Sequence, residues 1–438
     1  MALNKNIDLA VEKNFDALVK DLQSLIQIRS VWAEEEPGMP FGKGCADALG
    51  RALEICENLG FKTVNYDNYV GYAEIGEGEE MLGIVVHVDV VPEGNGWNEP
   101  PFAANIVDGI MWGRGTIDDK GPAVSCIYAV KAIYDAGLIP NKRIRFIFGA
   151  DEETGWRDLE HYAEVGGEIP TYSIAPDANF PVIFAEKSML GFDLVMDKKA
   201  AGIVSIEGGN AVNAVPDFCK AVVTDKNGNE LTVEMEGVAA HASLPELGEN
   251  AISKLMGELY KKHVAGEIEC PIAVFYNDKI AMDYNGNNFG VNCEDESGNL
   301  SMNIGLAGID GDNVVLGVDV RCPVTHDYDA IVENIKGQVE AYGIKLENYY
   351  ATGPLYMEKD SELVKTLMSV YQEMTGDMSE PIAIGGATFA RAVPNAVAFG
   401  ALLPGRPLTE HQANEHIVLD DLMLITKIYA QAIAALVC

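Results

Sequence analysis

Apolar residues recur along the start of the chain at the spacing of a helix face. Val11, Phe15, Leu18, Leu22 and Leu25 lie four and three apart, which predicts an amphipathic helix over 7–28. A second helix is predicted over 46–59, stopped at Gly60. The run at 82–88 is apolar without alternation, the pattern of a strand covered on both faces. A loop rich in Pro and Gly (92–101) and a Gly113–Gly115 turn lead into a helix over 122–136, with Pro122 in its first turn and Gly137 at its end. Residues 144–149 repeat the buried-strand pattern. Strands alternating with helices predict α/β layers.

From about 190 to 350 the texture changes. Short alternating segments such as 231–235 sit between turns at Asn227-Gly228, Asn285-Gly286 and Gly298-Asn299, with helices predicted over 250–262 and 328–342. This reads as an α+β domain with an antiparallel sheet. After Pro354 the α/β texture returns, with a helix over 361–374 starting at Ser361 and a last one over 418–436. The expected organisation is one α/β domain in two parts, 1–185 and 354–438, interrupted by an α+β domain over 186–353.

Composition narrows the class. At 438 residues two domains are the prior. There is no apolar run of about 18 residues to span a bilayer, and the start lacks the layout of a signal peptide, so a cytoplasmic protein is expected. None of the eight cysteines forms a C-x-x-C pair, and most are expected reduced and buried. With 31 Lys and Arg against 67 Asp and Glu, the net charge of −36 repels nucleic acid and anionic membrane.

His and acidic residues cluster at the ends of the apolar runs. His87 and Asp89 lie two apart at a strand end, where open α/β sheets bind ligands. Asp118 and Asp119 occupy a Gly-rich turn running into a helix, as a bridging carboxylate or as a helix cap. Asp151, Glu152 and Glu153 follow the 144–149 run, where a cation would relieve their repulsion. Asp177 stands in an apolar loop, as a ligand or in an Asx-turn. His411 and His416 are five apart, about 140° on a helix, so they do not serve one metal together; physics does not choose between them. In the inserted region His241 sits among small residues, and Asn213 and Arg321 are polar groups in apolar surroundings. An Arg so placed implies a partner carboxylate, since it cannot lose its charge.

Taken together, H-V-D-V-V-P, G-R-G-T-I-D-D-K-G-P, D-E-E-T-G-W, P-D-A-N-F-P, N-A-V-P-D, A-A-H-A-S and G-G-A-T-F-A-R resemble the co-catalytic zinc peptidases and deacylases, a family including acetylornithine deacetylase, succinyl-diaminopimelate desuccinylase, carboxypeptidase G and carnosinase. The resemblance is strongest to PepV-type dipeptidases and covers nearly the whole chain. It implies a catalytic domain with a mixed sheet flanked by helices and an inserted α+β lid. It implies two zinc ions, with cobalt or manganese as substitutes: His87 and Asp177 on one, Glu153 and His411 on the other, Asp118 bridging. Glu152 is implied as general base, Asp89 as an orienting carboxylate, His241 as a stabiliser of the tetrahedral intermediate, and Asn213 and Arg321 as binders of the substrate's carboxylate end. A cis peptide between Asp118 and Asp119 is implied too. The substrate would be a short peptide with a free amino terminus, or an N-acyl amino acid on the same site, and the chain a monomer. Asn179 stands where the family commonly has an acid.

Overall fold

The structure, a computed structural model, describes residues 3–438. The chain divides into two units. Of the described residues, the first comprises 3–184, 356–382 and 387–438; the second comprises 185–355 and 383–386.

The first unit is built on a mixed sheet. Its central strands run in the order Val70–Ile75, Arg143–Gly149, Met81–His87, Tyr172–Ala175, Ala396–Phe399. The last four run parallel to one another; Val70–Ile75 is antiparallel to them. Met81–His87 is buried at every position, as its unbroken apolar run requires of a strand with both faces covered. Helices Lys5–Ile26, Lys120–Asp135 and Leu419–Val437 pack on one another beside the sheet. Lys43–Asn58 packs against the strands at its antiparallel edge. The Lys120–Asp135 helix starts two residues before the predicted start, and Pro122 falls in its first turn, where a missing N–H costs nothing. Ser361 caps Glu362–Thr375 by accepting from the Val364 N–H, and Gly376 ends that helix in the left-handed conformation.

The second unit has a seven-stranded antiparallel sheet in the order Glu230–Glu236, Phe218–Thr224, Ser205–Gly208, Ser301–Asp310, Asn313–Cys322, Ser188–Asp197, Lys345–Thr352. Helices Ala251–Val264, Pro271–Lys279 and Tyr328–Val339 contribute to one core with one face of this sheet. Pro271–Lys279 is absent from the sequence expectation. Its apolar residues Ile272, Ala273, Phe275 and Tyr276 are bunched, so no helical stripe shows. Pro271 at its first position was the available signal.

All eight cysteines are free thiols, six of them buried. Among the described residues no helix is long and apolar enough to cross a membrane.

Candidate active site

Three parallel strands of the first unit end at one place, each delivering acidic or imidazole side chains beyond its carboxyl end. Met81–His87 ends on His87 itself. Arg143–Gly149 runs into Asp151, Glu152 and Glu153, and Tyr172–Ala175 into Asp177. Asp118 arrives on the turn before Lys120–Asp135, and His411 on the loop before His416–Val418.

Asp118 is central. Its Oδ1 is 3.0 Å from His87 Nε2, and its Oδ2 is 2.9 Å from His411 Nε2. Asp177 Oδ1 lies 3.7 Å from the same His87 nitrogen, and Glu153 Oε2 lies 3.1 Å from the His411 nitrogen. Among the described residues three groups could hold a metal ion: His87–Glu152–Glu153, and His87–Asp118–Asp177 and Asp118–Glu153–His411, which share the Asp118 carboxylate, turned to each histidine with a different oxygen. The Asp118–Asp119 peptide is cis, as the resemblance implies.

The surroundings fix each group. Gly121 passes so close to the turn that a Cβ there would stand 2.0 Å from the Thr116 carbonyl oxygen. Asp119 is at the helix N-cap but makes no capping bond; its carboxylate accepts the His87 backbone N–H at 3.1 Å instead. The strand ends at His87, so Asp89 stands in the following turn. Its carbonyl oxygen is 3.1 Å from His87 Nδ1, which leaves Nε2 to face Asp118. Its carboxylate accepts the backbone N–H groups of Glu152 and Glu153, at 3.2 and 3.1 Å. Asp89 thus orients the imidazole and both glutamates. Asp151 is turned away and paired through both oxygens with Arg157, so the three adjacent acids do not share one site. The Trp156 indole donates to Glu152 Oε1 at 3.1 Å, and Glu152 lines the cleft.

Several residues that hold the site's loops in place escaped the sequence reading. Glu415 is fully buried, paired with Arg114 at 2.6 Å, and accepts from the N–H groups of Gly115 and Ile117 at 2.9 and 3.0 Å. It pins the loop that carries Asp118. Buried Lys120 donates to the carbonyls of Leu25 and Ile28, and burial lowers its pKa to about 7. Asp158 accepts from the N–H groups of Ala150 and Asp151 and shapes the turn before Glu152. His416, the rival of His411, begins a strand and lies against Trp112.

The donor set fits divalent cations. The cleft, of about 180 Å³, is lined by Asp118, Glu152, Glu153, Asp177, Glu410 and His411 with apolar residues, and by no lysine or arginine. His87 Nε2 is buried and makes no well-aligned hydrogen bond despite its two carboxylate neighbours, as a ligand atom aimed at a shared third centre would be. Burial opposes charge on His87, yet Asp118, Asp177 and Asp89 hold its pKa well above the usual imidazole range. Asp118 and then Glu153 draw His411 up to about 11 against burial. Burial pushes the Glu152 carboxyl well up. A field that draws positive charge onto both imidazoles is one that would hold metal ions.

The remaining candidates belong to the second unit. His241 is exposed; its Nδ1 is 2.7 Å from the Ser243 hydroxyl and accepts the Ser243 N–H at 3.2 Å, which assigns the proton of the neutral ring to Nε2. Arg321 has the partner its setting demands: Nε and Nη2 donate to Asp319 at 2.7 Å each, and Nη1 donates to the Gly385 carbonyl at 2.9 Å. Of its five N–H groups two remain, one on each terminal nitrogen. Asn213 is exposed in a turn, and its carbonyl accepts the Ala242 N–H.

Comparison with known proteins identifies the family. A Bacillus subtilis (strain 168) protein named "Putative dipeptidase YtjP" is 37% identical over 98% of this chain and 99% of its own length. The structure of human carnosine dipeptidase 1 superposes with a TM-score of 0.62 at 16% identity, covering 99% of each chain. Bacillus subtilis YXEP, described as a dinuclear metal binding peptidase, superposes with a TM-score of 0.54 at 13% identity, covering 97% of this chain and 99% of its own. The family model described as peptidase family M20/M25/M40 matches residues 83–435. The chain belongs to that family and is a metallopeptidase.

Proposed function

We propose that this protein is a dinuclear zinc dipeptidase that cleaves short peptides with a free amino terminus. The observation that carries the reading is Asp118, whose two oxygens face two separate histidines, each with its own further carboxylate. His87 and Asp177 would hold one ion, Glu153 and His411 the other, with Asp118 between them. Bound ions would supply Lewis acidity, acidifying a water and polarising the scissile carbonyl. Glu152, with Oε1 held by Trp156, would take the proton of the attacking water and return it to the leaving amine. Asp89 keeps His87 and the Glu152–Glu153 turn in place. In the second unit the His241 Nε2–H is a donor suited to a developing oxyanion. The two spare N–H groups of Arg321 and the amide of Asn213 are suited to the substrate's terminal carboxylate.

The dipeptide substrate is supported by the name of the Bacillus subtilis relative, 37% identical over nearly the full length. Deacylation of N-acyl amino acids or carboxypeptidase action would use the same groups. A panel of dipeptides beside N-acetyl and N-succinyl amino acids decides between them: hydrolysis confined to acylated amino acids overturns the dipeptidase reading. The reading keeps the chain a monomer, with His241 serving its own chain's substrate. Activity regained on mixing inactive Glu152→Gln with inactive His241→Ala protein would contradict that.

A further inference from the structure

The antiparallel register of the second unit aligns three residues in one row. Asp319 lies opposite Gly191, and Gly191 opposite Tyr350 on the outer strand. Cross-strand partners project to the same face of a sheet. Leu190 and Phe192, the neighbours of Gly191, point the other way, into the core. Gly191 leaves a slot on the open face, and the Tyr350 ring occupies it: a Cβ on Gly191 would stand 2.1 Å from the ring's Cζ and 2.3 Å from its hydroxyl oxygen. The ring therefore lies across the sheet beside Asp319 and Arg321, whose charges both act on the phenol. Tyr350 is nevertheless 54% exposed. Arg321 Nη1 also holds the Gly385 carbonyl, and a Cβ on Gly385 would stand 2.5 Å from the Cβ of Ser243, the partner of His241, so the four groups lie in one polar region with an aromatic wall.

The pairing of Arg321 with Asp319 bears on what this cluster recognises. A guanidinium that shares its charge with a bidentate carboxylate attracts a second carboxylate less than a free one does. Its two spare N–H groups still offer direction. A neutral donor beside them adds a hydrogen bond without adding charge, and the Tyr350 hydroxyl is such a donor.

We propose that Tyr350 is a specificity-determining residue. Its ring walls the subsite for the substrate's carboxyl-terminal residue, and its hydroxyl joins Arg321 in donating to the terminal carboxylate. This rests on the peptidase reading above. An exposed ring face favours apolar and aromatic side chains at that position.

Steady-state kinetics of the zinc-loaded full chain test this, on dipeptides ending in Gly, Leu or Phe, with a melting curve for every variant. Tyr350→Ala is expected to raise KM about tenfold for a terminal Phe and much less for a terminal Gly, with kcat within about twofold. Tyr350→Phe should raise KM about threefold for all three peptides alike, because the carboxylate is common to them. Gly191→Ala keeps the tyrosine but expels its ring, and should reproduce the Tyr350→Ala pattern. A lowered melting temperature with KM unchanged would overturn the proposal, leaving the ring only to cover the sheet. So would a loss confined to kcat. If the wild type cleaves only N-acyl amino acids, the dipeptidase reading falls while the same KM ratios, taken on N-acetylglycine and N-acetylphenylalanine, still judge Tyr350. Titration with free phenylalanine and its amide tests the subsite without turnover: tighter binding of the acid in wild type, lost in Tyr350→Ala, supports it, and equal binding in both proteins overturns it.

Discussion

In the first unit the chemically active groups are crowded and of like sign, whereas in the second each has its own partner. Asp118, Asp177, Glu152 and Glu153 converge around His87 and His411, and no lysine or arginine lines their cleft. In the second unit Arg321 is paired with Asp319, and His241 is engaged by Ser243. A buried cluster of carboxylates is relieved by taking up positive charge, as protons or as cations. A cluster balanced within itself needs none, and can bind a substrate without holding an ion. On the proposed function the first unit serves metal and proton transfer and the second recognition, and perturbations should divide along that line.

The largest effect is expected from chelation. Removing divalent ions should abolish hydrolysis, and zinc, cobalt or manganese should restore it. Full activity in protein shown to be metal-free would break the contrast at its root. Next is Glu415→Ala, which leaves Arg114 buried without its partner. A broken buried pair costs about 3–5 kcal/mol, to be read from denaturant midpoints. A stability unchanged from wild type would mean that Glu415 is not what holds the Asp118 loop.

That residue also shows where the sequence stops being informative. Glu415 stands in E-H-Q-A-N-E-H beside the two histidines, yet in a polar stretch nothing marks one carboxylate as buried. Its role arises because the loop at 113–118, some 300 positions away, turns its N–H groups toward it. The role of Asp119, read as a possible helix cap, and that of Asp158 were hidden for the same reason: each accepts backbone donors brought there by the fold. The choice between His411 and His416 could not be made from helical rotation, because neither lies in a helix. His411 sits in a turn with positive φ, and His416 opens a strand. By contrast, the strand at Met81–His87 and the split of the chain by an antiparallel insert were visible, because burial on both faces and two-residue alternation leave direct marks on composition. The partner of Arg321 was foreseen as a carboxylate because the charge of an arginine admits little else. Tyr350 left no mark: its place depends on the glycine that the register sets opposite it on the neighbouring strand.

Within the first unit the two adjacent glutamates should part company. Glu152→Gln should keep both metals and lower turnover by roughly two orders of magnitude or more, the scale of general acid–base catalysis. Glu153→Gln should instead lose metal. Metal analysis showing the reverse would exchange their roles. The smallest effect is expected in the second unit. Arg321→Lys, which cannot present two N–H groups in a plane, should raise KM about tenfold, roughly 1.4 kcal/mol, with metal content unchanged. A change in metal content there would dissolve the division between the units.

The central claim is that one carboxylate serves two ions, and counting bound zinc in dialysed, folded variants tests it most directly. The account predicts two ions per chain in wild type, one each in His87→Ala and His411→Ala, and none retained by Asp118→Ala. An Asp118→Ala protein that still holds one ion as tightly as the histidine variants would contradict it.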